Sequence, residues 1–215
     1  MRKGCELMKN NDFKDVVLGR NSIRKYDPEV KISQAEMNEL LAEAMHAPSA
    51  VNLQPWRMVV VSSEEGKNRL RPFIGSNTLQ NDTSAAMIII FGDLKCYEYA
   101  EEIYDEAVAT GKMPQEIRDK QLSFIIPMYQ GFSNEKMRET IYIDNSLMAM
   151  QLMLVARAHG YDTNAIGGFQ REGLAEAFEM DPSRYIPTLI ISVGKAAEEG
   201  YQSVRLTPEK VVKHF

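Results

Sequence analysis

The sequence predicts an α+β fold, a mixed central sheet covered by helices with one long helix near its middle, and three observations carry that prediction. Apolar runs rich in β-branched residues occupy 57–62, 86–91 and 188–193, the pattern of strands shielded from water. Amphipathic segments with i, i+3, i+4 spacing separate them. A stretch over 135–159 is apolar around so much of its circumference that it belongs inside the molecule. Few strands and many helices make a layered domain.

Taken in order, 11–18 forms a short amphipathic helix on Phe13, Val16 and Val17, closed by Gly19, and Arg20 to Tyr26 is extended before Asp27 and Pro28 turn the chain. Ser33 and Glu36 have capping-box spacing, and Met37, Leu40, Leu41, Ala44 and Met45 repeat as a helix over 34–46. Pro48 ends it, and a loop leads through Trp56 into the first strand at 57–62, expected to be buried on both faces. A helix over 64–75 precedes the strand at 86–91. Gly111 and Pro114 divide the amphipathic region 96–125 into two helices, and the long helix 135–159 ends at Gly160. A strand-like segment then reaches Gly167, Gly168 and Phe169, a helix covers 171–179, and 188–193 is the last strong strand. The tail from Ser203 to Phe215 holds Pro208 and a short apolar pair, Val211 and Val212.

The chain has 215 residues, 25 Lys plus Arg against 30 Asp plus Glu for a net charge of −5, and 44% hydrophobic residues. That length suits one core, and no linker or repeat interrupts it. The acidic balance lacks the basic excess of a nucleic-acid binder. No apolar run approaches a membrane span, and the N-terminus has positive charge without an apolar stretch behind it, so a cytoplasmic protein with no membrane partner is expected. Cys5 and Cys96 make no ligand or CxxC spacing and read as free thiols.

Three places could carry chemistry. Arg20, Ser22 and Arg24 alternate along an extended backbone, so their side chains face one way, as a phosphate or carboxylate clamp or as solvated charges. The stretch from Ala47 to Trp56 holds two prolines, the amides of Asn52 and Gln54 and the only Trp, suited to reading a heterocycle's edge against a flat wall or to packing a structural loop. At Gly167 and Gly168 a ligand could approach the backbone, although an ordinary turn also uses glycine. There is no GxGxxG after a strand, no P-loop and no GxSxG, and His46, His159 and His214 have no spacing of a metal triad. No metal site is expected, and demanding chemistry here requires a held organic cofactor.

In order and spacing, Arg20, Asn21, Ser22, Ile23, Arg24, Lys25 and Tyr26, then Ala47 through Trp56, then Ile166 through Phe169, resemble the FMN-dependent nitroreductase family. The resemblance covers 12–215 as a single FMN-binding domain and leaves 1–11 as an N-terminal extension. It implies a homodimer of α+β subunits with exchanged C-terminal tails and one FMN in each of two interface pockets. It also implies ping-pong hydride transfer from NADH or NADPH through flavin N5 to nitroaromatics, quinones or related acceptors, with no catalytic side chain. Arg20 and Ser22 fall where relatives hold the flavin phosphate, Asn21 between them is a cofactor-binding residue of the same segment, and Arg24 falls on the ribityl and N1/O2 side. Pro48, Ser49, Ala50 and Asn52 match the loop that meets FMN from the other subunit, and Asn77 the residue at the pyrimidine edge. Ile166, Gly167 and Gly168 match the backbone along N5, and Arg205 a basic tail residue at the phosphate. Some relatives carry Lys where this chain has Ser203 and Glu where it has Gly167. An FMN storage or sensing protein without nicotinamide turnover, or a relative doing reductive dehalogenation or flavin chemistry, is the alternative.

Overall fold

The computed structural model describes residues 9–215; Cys5 and residues 1–8 of the expected extension lie outside them. Helix α1 (Phe13–Gly19) starts at Asp12, whose carboxylate accepts from the backbone N–H of Lys14 and Asp15. Only Val16 of this helix is buried, and Phe13, expected on its inner face, is 75% exposed. The Ser33 hydroxyl caps α2 (Gln34–Ala44) by accepting from the Glu36 N–H. The remaining elements are β1 (Trp56–Val61), α3 (Glu64–Leu70), α4 (Thr78–Thr83), β2 (Ala86–Asp93), α5 (Ala100–Ala109), α6 (Gln115–Gln130), α7 (Asn134–Ala158), β3 (Asp162–Ile166), α8 (Leu174–Ala177), β4 (Tyr185–Gly194) and α9 (Pro208–Val211).

The sheet order is β1-β2-β4-β3, and every pair of these strands is antiparallel. Its mixed character reduces to one parallel bridge, between Ser22 and Thr163. β2 is central, and all eight of its residues are buried. Its Ile88 and Ile90, with Ile191 and Val193 of β4, face Leu40 of α2 and Met148 and Leu152 of α7. Met87, Ile89 and Phe91 turn the other way, onto Leu70, Ile74 and Leu174. The period of two in the strand thus feeds two cores, each buried isoleucine contributing about 1.5–3 kcal/mol. At Gly92 an added Cβ would stand 2.0 Å from Ile141 Cγ2, so α7 lies on β2 only because that position is glycine. A third cluster joins α5, α6 and the first half of α7 through Tyr104, Ile125, Tyr129 and Ile141.

Four expectations change. Among the described residues β1 is an edge strand, paired only with β2, and Val60 is 37% exposed, so its apolar run is not buried on both faces. The helix expected over 64–75 stops at Leu70 and tightens into a 3-10 turn at Arg71–Phe73, where Pro72 removes a backbone donor; α4 then follows unforeseen. The helix expected over 171–179 shrinks to Leu174–Ala177, because Gly173 at φ 78° and Glu179 at φ 60° put left-handed backbone on either side. Helix α7 covers the sheet with one face but leaves Ile143, Leu147 and Met150 at 63%, 45% and 41% exposure on another.

The tail is the other anomaly: residues 201–215 are exposed throughout, including Tyr201, Val204, Leu206, Val211 and Phe215. No helix among the described residues is long and apolar enough to cross a membrane.

Candidate functional site

The extended segment runs along the outer side of β3. The Ile23 N–H donates to the Thr163 carbonyl at 3.1 Å, which buries Ile23 and turns Ser22 and Arg24 outward, as the alternation requires. Arg20 and Asn21 are half-buried, and Asn21 donates to the Gly19 carbonyl at 3.2 Å. The Glu198 carboxylate accepts from the backbone N–H of Arg24 and Lys25 at 2.7 and 3.1 Å, pinning the segment to the chain after β4. Neither Arg20 nor Arg24 has a carboxylate partner for its guanidinium among the described residues; that of Arg24 lies 5.8 Å from the Tyr201 ring.

Helix α4 ties this segment to the glycines. The Thr83 hydroxyl accepts from the Tyr26 N–H at 3.1 Å, and at the opposite end the Asn77 amide donates to the carbonyls of Ile74 at 2.8 Å and Gly168 at 3.3 Å. Six helical residues separate these anchors by about 9 Å. Arg20, Ser22, Arg24, Asn77, Ile166, Gly167 and Gly168 therefore gather at the β3 edge of the sheet. At Gly167 and Gly168 the backbone is not left-handed, and an added Cβ would meet nothing within 4 Å. Neither strain nor packing within the chain demands glycine there, so the open strip of backbone suits the edge of a flat ligand. Two unpaired guanidiniums beside a hydroxyl suit its phosphate. The residues fit FMN.

The loop of Pro48, Ser49, Ala50 and Asn52 lies elsewhere, leading into β1 at the opposite edge, three inter-strand steps or about 14 Å from β3. Three of its non-glycine residues are left-handed, Val51 at φ 45°, Asn52 at 56° and Gln54 at 45°. Such backbone costs roughly 1–2 kcal/mol per residue, most for the β-branched Val51. Several bonds hold it. The Ala50 N–H donates to both carboxylate oxygens of Asp144 on α7, at 3.0 and 3.1 Å, and the Tyr104 hydroxyl of α5 donates to the Val51 carbonyl at 3.0 Å. Arg57 donates to the carbonyls of Gln54 and Trp56 at 3.0 and 2.8 Å and to the fully buried Asp93 carboxylate at 3.1 Å, which Arg184 also grips at 2.8 and 3.0 Å. Burial pushes the Asp144 carboxyl above the usual range, opposed in part by the Ala50 N–H, and burial likewise raises Tyr104.

Asp144 and Tyr104 escaped the sequence reading. The signal for Asp144 was present: one acid on the apolar stripe of Met137, Ile141 and Met148. Of the two uses the stretch allowed, packing is the one seen for Trp56, which is buried with Ala47, Met148 and Ile90 while also lining a cavity at β1. This cavity of about 590 Å³ lies between α2, β1 and α5 against Leu41, Met45, Trp56, Met58 and Ile103, beside the β1 edge rather than at the clamp. Arg205 is exposed and, among the described residues, its guanidinium bonds the Val204 carbonyl alone, at 3.2 Å. Cys96 is buried and its thiol pushed up to about 12, chiefly by desolvation, so it is unreactive. Glu39, Glu43 and His159 are the one metal-compatible group among the described residues, and the Lys9 ammonium already bonds both carboxylates, at 2.5 and 3.2 Å.

A fold of this kind, with an anion clamp and an open glycine strip on one sheet edge, defines a binder of a flat, phosphate-bearing ligand. The model of the nitroreductase family matches residues 17–195, and this chain belongs to that family. Over 207 residues it is 50% identical to Bacillus subtilis YdgI, which bears the name of an NAD(P)H nitroreductase, covering 96% of this chain and 99% of that one. A Staphylococcus epidermidis protein described as an NAD(P)H:FMN oxidoreductase superposes with a TM-score of 0.96 at 46% identity, covering 98% of this chain and 99% of its own. A nitroreductase from Exiguobacterium sibiricum, solved in complex with FMN, gives a TM-score of 0.94 at 50% identity, with 96% and 99% covered.

Proposed function

We propose that this chain is an FMN-dependent oxidoreductase working as a cytoplasmic homodimer, with residues 12–215 as its single domain. One observation carries the reading: the residues that suit a flavin's phosphate and ring edge converge at the β3 edge, while the loop of matching polar tips is held at the β1 edge about 14 Å away. Two chains related by a twofold axis would bring the loop of one to the clamp of the other. Bound FMN supplies hydride transfer from NADH or NADPH, through N5 and in a ping-pong order, to a nitroaromatic, quinone or related acceptor.

This chain's residues bind and orient. Arg20, Ser22 and the Asn21 backbone hold the phosphate, and Arg24 provides positive charge on the ribityl and N1/O2 side. Asn77, fixed by the Ile74 and Gly168 carbonyls, faces the pyrimidine edge. The backbone of Ile166, Gly167 and Gly168 runs along the reactive edge. Pro48, Ser49, Ala50 and Asn52 complete the pocket of the other subunit and exclude water from it. No side chain acts as nucleophile.

The exposed Ile143, Leu147 and Met150 of α7 form the dimer seam, and the tail crosses to the second chain. There the free β1 edge and the neighbouring cavity receive its apolar residues, bringing Arg205 to a phosphate. The purified protein is expected to be yellow and to bleach anaerobically with NADH or NADPH. Colourless protein that takes up no added FMN overturns the assignment. Bleaching by dithionite but by neither nicotinamide makes it a flavin-binding protein without turnover.

A further inference from the structure

We propose that Asp144 and Tyr104 are positioning residues for the 50–54 loop, locking it in the left-handed conformation in which it meets the second subunit's flavin. The inference rests on the FMN reading above. A loop that keeps three left-handed non-glycine residues is held by its surroundings, and here two helices do the holding. Asp144 reaches from α7 to the Ala50 N–H, and Tyr104 from α5 to the Val51 carbonyl, so the donor and acceptor that bracket the most strained residue are fixed from two directions. Asp144 is 4% exposed, and no cation accompanies it among the described residues. Its only hydrogen bond among them is to this loop, and a buried carboxylate so placed has no packing role that an apolar residue would not serve better.

The outward consequence is directional. Ser49 accepts from the Gln54 N–H at 3.0 Å and Leu53 is buried as the loop's anchor, while Asn52, Val51 and Pro48 point away from their own chain. The phosphate clamp lies at the other edge of the sheet, and the bonds that reach the backbone of Ala50 and Val51 from outside the loop come from α7 and α5. The loop is thus preorganised by its own helices.

Full-length protein, stripped of flavin and titrated with FMN by fluorescence quenching, tests this alongside hydrogen exchange of residues 50–54. Asp144→Ala leaves the Ala50 donor unpaired and is expected to weaken FMN binding roughly ten- to hundredfold and to speed exchange in the loop. Asp144→Asn keeps an acceptor oxygen and should stay within about threefold of wild type. Tyr104→Phe, which frees the Val51 carbonyl, should weaken binding about fivefold, and carries the test if Asp144→Ala does not fold. Binding within about twofold of wild type for both Asp144→Ala and Tyr104→Phe overturns the inference, as does an Asp144→Asn protein as weak as Asp144→Ala. Wild-type protein that takes up no FMN overturns the functional reading and this inference together; wild-type uptake with unaffected variants overturns this inference alone.

Discussion

Replacing Gly168 by alanine should move stability and cofactor binding in opposite directions. The added Cβ meets nothing within 4 Å in the chain, and the backbone is not left-handed, so the folded protein has no reason to resist it. Alanine also narrows the unfolded ensemble, which adds about 0.4–1 kcal/mol of stability, or about 1–4 °C in melting temperature at this chain length. The Gly168 carbonyl that accepts from Asn77 is retained. The same methyl stands where the ring edge is to lie, and overpacking of about 1–3 kcal/mol weakens FMN about 5- to 150-fold. Flavin-free Gly168→Ala and wild-type proteins are compared by thermal melting, then titrated with FMN by fluorescence quenching. A variant that folds normally and binds FMN like wild type refutes the placement of this backbone against the flavin. A flavin-free variant that loses more than about 1 kcal/mol refutes the reading of the space as open.

Arg20→Ala should weaken FMN by about 1.5–3 kcal/mol, the scale of a hydrogen bond to a charged group, while leaving the flavin-free melt nearly unchanged. Equal affinities would remove Arg20 from the clamp. Because burial raises the Asp144 carboxyl, the folded state binds its proton more tightly than the unfolded state does, so Asp144 stabilises the fold at acid pH and that contribution is lost as pH rises through its folded value. Asp144→Asn, neutral at every pH, should therefore melt higher than wild type at pH 7, with the gain shrinking toward pH 4; a gain independent of pH would contradict this. Truncation after Gly200 removes fifteen exposed residues, Tyr201 to Phe215, that contribute little inside one chain, and should yield a folded monomer without flavin by sedimentation velocity. A truncated protein that remains a flavin-loaded dimer argues against the exchanged tail.

The elements legible from sequence were those specified locally. The capping hydroxyl of Ser33, the apolar runs of β2 and β4 and the length of α7 follow from residues within a turn or two of one another, and they appear where expected. What the residues alone could not supply was context: β1 reads like β2 as a string of apolar residues but stands at an edge, and the Trp56 stretch suited a ligand wall or a packed loop alike until tertiary packing put the ring in a core. In the site, the alternation of Arg20, Ser22 and Arg24 and the bareness of Gly167 and Gly168 were readable. The bond from Asn77 to Gly168, across 91 positions, was not.

By itself the sequence determined the α+β class, the clamp and loop as separate motifs, and the absence of nucleotide-loop and nucleophile-elbow patterns, because each depends on residue types at short spacing. Only the tertiary structure decided that clamp and loop lie on opposite edges of one sheet, since strand order is set by which long-range pairings bury the most apolar surface. It also decided that Asp144, one acid on an apolar helix face, reaches the strained loop 94 positions earlier, a contact that exists only once α7 is laid across β2 at Gly92.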